Sequence, residues 1–297
     1  MAIGDGIRRN VAAITSAERD RLRNAILAID RVRLFPDGVS YWDKQDQIHQ
    51  ATHVHGGPSF LPWHRELCNR FEAMLRDVDS ELSLHYWDWT VDPRSAPDGT
   101  GGFVNLMSAN FMGAPSGRAG APFETFDNGG VFVGSRDQTG NPANPPQSIE
   151  RDLSAGAPGV PADAAIISAS DGFPEEEQFS EFADALEGAH NTVHGYIGGN
   201  IGFGHTAFED PFVFLLHSNV DRLFALWQQV PRAAWRLDPN QVYGLLGSTT
   251  GSKGIMTPIE PWAAIAPNKI RPWGPPENES VNKNCKDTTV VAPPKYA

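Results

Sequence analysis

The chain has 297 residues, enough to bury one large core, and its 40% hydrophobic and 20% charged residues exclude a disordered chain. A formal net charge of −12 gives it no general attraction for nucleic acid or an anionic membrane surface, so neither is an expected partner. Two cysteines, Cys68 and Cys285, make neither a disulfide framework nor a CxxC metal knuckle, and are read as reduced thiols, with a single bridge as the alternative.

No run approaches 18 apolar residues, and no apolar stretch follows Arg8-Arg9 as an export signal would require, because charge returns at Glu18-Arg19-Asp20. The pair is read as part of the folded domain. A cytoplasmic location is the expectation, with export on a partner as the alternative.

Residues 15–30 form the first predicted helix, with Thr15 and Glu18 in the capping-box pattern and Leu22, Ile26 and Ile29 at helical spacing. A second helix is expected over 41–53. The strongest helical pattern covers 62–78, with Pro62 suited to a first turn and Leu67, Phe71, Met74, Leu75 and Val78 as its apolar stripe. Residues 84–90 are aromatic-rich, hence short and buried. From about 91 to 175 Gly, Pro, Asn, Ser and Asp dominate, which predicts a long irregular excursion. Helical pattern returns at 176–195 and at 210–230, the latter opening on Asp210-Pro211. The tail from 236 reads as irregular.

Nine histidines carry the chemistry, and they cluster: four lie within 49–64 and four within 190–217. His190 and His194, four apart on one helix, place both imidazoles on one face, where they can share a metal ion. His217 sits in the apolar run FLLH, where an imidazole is costly unless it is hydrogen-bonded or ligating. His64 opens the strong helix, and the turn residues Gly56, Gly57 and Pro58 let His55 double back towards it. His49 lies six residues before His55. Either His49 or His53 can complete this first set. An all-imidazole set suits Zn, Cu, Fe or Ni. Two such sites with no bridging carboxylate evident look less like a two-zinc hydrolase, which clamps its ions with Asp or Glu, than like a pair of copper ions.

The segment HGGPSFLPWHRELCNRFE (55–72) resembles the CuA signature of the type-3 copper proteins, the family of tyrosinases and catechol oxidases. LHYWDWT (84–90) resembles the PYWDW segment that follows it, and residues 190–228 resemble the CuB signature with its HN-x-VH, GG, DP and NVDR elements. The resemblance spans most of residues 8–230. It implies a mainly α fold, a helix bundle housing a dicopper centre with long loops and few short strands. The chain is then one catalytic domain over 1–297, with 235–297 packed on it as an irregular tail.

By the same resemblance His49, His55 and His64 are the CuA ligands, and His190, His194 and His217 the CuB ligands. Glu187 and Asn191 match the pair that holds an active-site water and helps deprotonate a monophenol. Gly195, Ile201, Phe203, Gly204 and His205 fall where substrate is met. The implied cofactors are two copper ions, with O2 as co-substrate and small phenols oxidised to o-quinones. Ortho-hydroxylation of monophenols is a further step open to it. The resemblance also admits a copper-delivery protein and a homo-oligomer. Rivals are a catechol or o-aminophenol oxidase and a haemocyanin-like dioxygen carrier. About 80 residues follow His217, too few for the shielding domain of latent relatives, which favours an enzyme.

The sequence also departs from the family pattern. Leu216, not a second histidine, precedes His217, and His85 replaces the usual proline of PYWDW. Gly195 and Gly204 replace bulkier residues, which predicts an open pocket. No cysteine stands two residues before His55, so no Cys–His thioether is expected.

Overall fold

A computed structural model describes residues 4–31, 40–52, 54–123, 148–259, 284–288 and 293–297. Its framework is helical. The first strand, β1 (Ile7–Arg8), precedes helix α1 (Ser16–Arg31). The predicted capping box closes as drawn: the Glu18 amide donates to Thr15 Oγ1 at 3.2 Å, and the Thr15 amide donates to Glu18 Oε2 at 2.8 Å. Leu22, Ala25, Ile26 and Ile29 bury the inner face of α1. Helix α2 (Tyr41–Thr52) is opened by Ser40 Oγ, which accepts from the Asp43 amide at 2.8 Å. His53, the rival for the first histidine set, lies outside the described residues.

Helix α3 (Phe60–Val78) begins two residues earlier than its apolar stripe predicts. Ser59 precedes it in helical rather than extended backbone geometry and makes no side-chain cap, and its hydroxyl donates to the Lys253 carbonyl at 2.8 Å. That bond ties the start of α3 to the later part of the chain. The aromatic segment 84–90 is buried as expected, with Trp87 and Trp89 fully enclosed. The excursion from 91 holds more pairing than its composition predicts. Strands β2 (Ala96–Pro97) and β3 (Phe103–Val104) pair antiparallel, as do β4 (Ser116–Arg118) and β5 (Glu150–Asp152), and α4 (Asp163–Ile167) follows. These strands span two or three residues each, too short to show the alternation that betrays a strand in sequence.

Helix α5 (Glu175–Ile197) starts with three glutamates, favourable at the positive end of the helix dipole, and ends at Gly198. Helix α6 (Phe212–Gln228) is buried on nearly every side. Asp210 opens it by accepting from the Phe212 amide at 2.9 Å, and is itself held by Arg151 in a fully buried two-pronged pair. α3 packs on α6 and α1, and α5 on α6. Phe71 and Phe214 stack at the α3–α6 seam, 3.6 Å between centroids, and Phe182 stacks on Trp227 at 4.7 Å.

The tail contributes 3-10 turns at Ala234–Leu237 and Gly244–Leu246, helix α7 (Cys285–Thr288) and strand β6 (Lys295–Tyr296). β6 pairs in parallel with β1, so the tail's last residues close on the first strand. Arg8 is 1% exposed beneath that pairing, in keeping with its reading as part of the domain. Cys68 and Cys285 are buried free thiols. Among the described residues, no helix is long and apolar enough to cross a membrane.

Candidate metal centre

Two groups of three histidines converge at the heart of the bundle. His49, His55 and His64 offer ring nitrogens that all lie within 4.8 Å of one another, and so do His190, His194 and His217. His49 comes from the last turn of α2, His55 from the loop before α3, and His64 from the first turns of α3. His190 and His194 share a face of α5, and His217 faces them from α6. The groups adjoin: the His64 and His217 rings stack at 4.9 Å, and His55 lies 5.7 Å from His190.

Hydrogen bonds fix how four of these rings present themselves. The Nδ1 of His64 donates to the Phe60 carbonyl at 2.8 Å, that of His194 to the Ile201 carbonyl at 2.6 Å, and that of His217 to the Val213 carbonyl at 2.9 Å. His190 Nδ1 donates to Asn191 Oδ1 at 3.0 Å. A carbonyl oxygen only accepts, so Nδ1 carries the proton and Nε2 is left with a lone pair. His64 Nε2 and His194 Nε2 are buried with no hydrogen-bond partner among the described residues. His190 Nε2 and His217 Nε2 face each other at 3.1 Å, two acceptors that repel unless a cation lies between them.

Electrostatics favour the same state. Burial pushes the His64, His190 and His217 imidazoles well below their ordinary pKa, and neighbouring imidazoles push them further. Burial alone takes His194 down to about 4. All four are therefore neutral at neutral pH, the form that ligates metal. Buried, convergent, lone-pair-bearing imidazoles in two adjacent sets of three fit two copper ions.

Aromatic rings wall the centre. Phe208 lies 4.3 Å from His49 and 4.9 Å from His217, and Phe60 lies 4.7 Å from His64 and 5.0 Å from His190. Neither ring was singled out from sequence; their only signal was adjacency to motif residues. The double glycine of the second motif has a steric reason. Gly199 adopts φ +56°, and a Cβ there would stand 2.0 Å from the Glu150 carbonyl of β5.

The remaining candidate residues are placed unevenly. Glu187 is half-buried one turn before His190, and its Oε1 accepts from the Gly56 amide at 2.7 Å, beside His55. Burial raises its pKa. Asn191 is exposed and bonds His190 rather than Glu187. Gly195 is exposed, with open space where a Cβ would stand, and Phe203 is 43% exposed. Gly204 and His205 are partly buried beside them. Ile201 is 0% exposed, and its carbonyl accepts from His194 Nδ1. His85 stands apart from both triads and accepts from the Arg9 amide.

Comparison with known proteins agrees with this geometry. The family model for the common central domain of tyrosinase matches residues 39–230. The chain is 27% identical to a tyrosinase of Streptomyces antibioticus over 281 residues, covering 88% of this chain and 94% of that one. It is 30% identical to a tyrosinase of Streptomyces lincolnensis, covering 75% and 82%. It is also 29% identical to hemocyanin 2 of Megathura crenulata, over 76% of this chain but 6% of that much longer one. In fold it resembles a polyphenol oxidase of Thermothelomyces thermophila, with TM-score 0.60, 18% identity and coverage of 98% and 88%. It also resembles deoxygenated hemocyanin of Rapana thomasiana, with TM-score 0.61, 24% identity and coverage of 98% and 69%. The chain belongs to the tyrosinase family of dicopper proteins.

Proposed function

We propose that the protein is a copper-dependent polyphenol oxidase, which uses O2 to oxidise small phenols and o-diphenols to o-quinones. In this reading His49, His55 and His64 hold one copper ion, and His190, His194 and His217 hold the other. The observation that carries it is the shared wall between the triads, with His64 stacked on His217 at 4.9 Å. When bound, the two copper ions supply the two-electron redox chemistry that no side chain here can provide.

The protein's own groups do the rest. The carbonyls of Phe60, Ile201 and Val213 and the amide of Asn191 hold Nδ1 protons, so that Nε2 of each ring points inward. Phe60 and Phe208 exclude water around the triads. A phenol has a pKa near 10 and must lose its proton to bind as phenolate. Glu187 is the base in this reading: its Oε1 is held by Gly56, which leaves Oε2 to take the phenol proton. Gly195, Phe203, Gly204 and His205 form the rim on which the substrate ring rests. Exposed Gly195 and Phe203 support access by substrate, and so an enzyme rather than a carrier.

Initial rates on a monophenol, its catechol and an o-aminophenol, measured side by side with copper-loaded protein, test the proposal. Quinone formed from the monophenol supports tyrosinase activity; oxidation of the catechol or aminophenol alone supports an oxidase without hydroxylation. Reversible oxygenation without turnover of any of them overturns the enzyme reading and supports a carrier.

A further inference from the structure

We infer that Gln50 positions the loop at the rim of the centre, and through it sets discrimination between small and para-extended phenols. The inference rests on the function proposed above, and the feature behind it is a bridge from α2 to the segment joining α5 and α6.

That segment is held firmly on one side. Asn200 Oδ1 accepts from the Glu150 amide at 2.7 Å, and Asn200 Nδ2 donates to Glu209 at 2.6 Å. Thr206 Oγ1 donates to the Asn200 carbonyl at 2.8 Å, and the Ile201 carbonyl accepts from His194. These bonds fix residues 200–201, 206 and 209. Between them runs Gly202-Phe203-Gly204-His205; turn bonds hold Gly202 and Phe203, with the Phe203 amide donating to the Asn200 carbonyl at 3.2 Å, while Phe203 is 43% exposed.

The opposite side is met by Gln50, the residue after His49. Its side-chain amide nitrogen donates to the His205 carbonyl and, at 2.6 Å, to Asp46 Oδ2 one turn earlier on α2. An amide has two N–H bonds, and both are used. Asp46 is 2% exposed and aims the amide; the amide then carries the loop. The strap Phe203–His205 is thus tied at one end to a ring of the second triad, through Ile201 and His194. At the other end it is tied to the neighbour of a ring of the first. A catechol without substituents reaches the triads without leaning on this strap. A catechol with a bulky para group must pass it.

The test uses the full copper-loaded chain with Gln50→Leu, close in size without a donor, and Gln50→Glu, equal in length but facing two oxygens with a carboxylate. Hydrogen–deuterium exchange of peptides covering 199–206 is measured with kcat and KM for catechol and 4-tert-butylcatechol. Copper content is measured in parallel. We expect faster exchange at 202–206 in both variants. The ratio of the two KM values should shift by roughly three- to tenfold, the worth of one hydrogen bond, and by more than the ratio of the two kcat values. Unchanged exchange, or equal changes for both substrates, overturns the inference. If the wild type oxidises neither catechol, the proposed function falls by itself. The exchange comparison still decides whether Gln50 holds the loop.

Discussion

The imidazole of His64 lies against that of His217, centroids 4.9 Å apart and planes 12° from parallel. One ring comes from α3 and the other from α6, so the spacing of the two triads is the spacing of those helices. Immediately behind the rings the helices are joined by charge. Arg65, next to His64, pairs with Asp221, one turn beyond His217, and Arg8 pairs with the same aspartate and with Glu72. Tyr296 of β6 donates to Asp221 at 2.7 Å. Asp221→Ala leaves two buried guanidinium groups without this partner. We expect a loss of about 3–5 kcal/mol, read from the urea midpoint, because breaking a buried pair strands a charge. A loss below about 1 kcal/mol would show that α3 and α6 keep their register by apolar packing alone.

Asn191 orients His190 from outside the triad. Removing its amide in Asn191→Ala frees the Nδ1 proton and loosens the ring's orientation. Retention of the second copper ion should weaken roughly 10–100-fold, as for other partners that orient ligands, while the first ion is held as before. Competition with a chelator, followed by copper content per chain, gives both numbers. Equal loss from both sites would place the effect elsewhere.

Glu187 offers a sharper separation between substrates. If Glu187 is the base for the phenol proton, Glu187→Gln should depress monophenol hydroxylation by about 10²–10⁴ and catechol oxidation far less. In the proposed role the acting form is the carboxylate. Burial raises the pKa of Glu187, which means hydroxylation rises as pH rises through that pKa and falls in acid. A Gln variant with the same ratio of monophenol to catechol rates as the wild type removes Glu187 from the mechanism.

Much of this centre is legible in the sequence. The HxxxH of α5 needs only helical periodicity to aim two rings one way, and an imidazole in FLLH advertises its own burial cost. The start of α1 was equally plain, since Thr15 and Glu18 satisfy each other locally. What stayed hidden depends on distant partners. Ser59 sits where a capping serine is expected, yet its hydroxyl serves instead to bind the carbonyl of Lys253, far along the chain. The bond from His194 Nδ1 to the Ile201 carbonyl is a backbone contact, which no side-chain pattern encodes. Gln50 gave no signal, because its two acceptors come from a helix turn before it and a loop 155 residues after it. The parallel pairing of β1 with β6 joins the chain's two ends over two residues each, beyond the reach of periodicity.

His85 makes acid stability testable apart from the metal centre. It is 4% exposed, and its Nδ1 accepts from the Arg9 amide at 3.1 Å, so the folded protein needs the neutral ring. Burial lowers its pKa to about 4; Glu18 and Asp5 oppose the shift, while Arg9 and Arg8 add to it. The unfolded chain takes up a proton near pH 6.5, and the folded chain only near pH 4. Within that window the unfolded state binds more protons, so stability increases with pH and is lost as pH falls. The whole shift amounts to about 3 kcal/mol. His64, His190, His194 and His217 give slopes of the same sign, but they are common to wild type and variant. Urea unfolding at pH 7 and pH 4.5 should therefore show a smaller acid loss for His85→Gln, whose amide oxygen can still accept from Arg9. Parallel losses in the two proteins would mean that His85 is protonated in the fold, and that its burial is offset by Glu18.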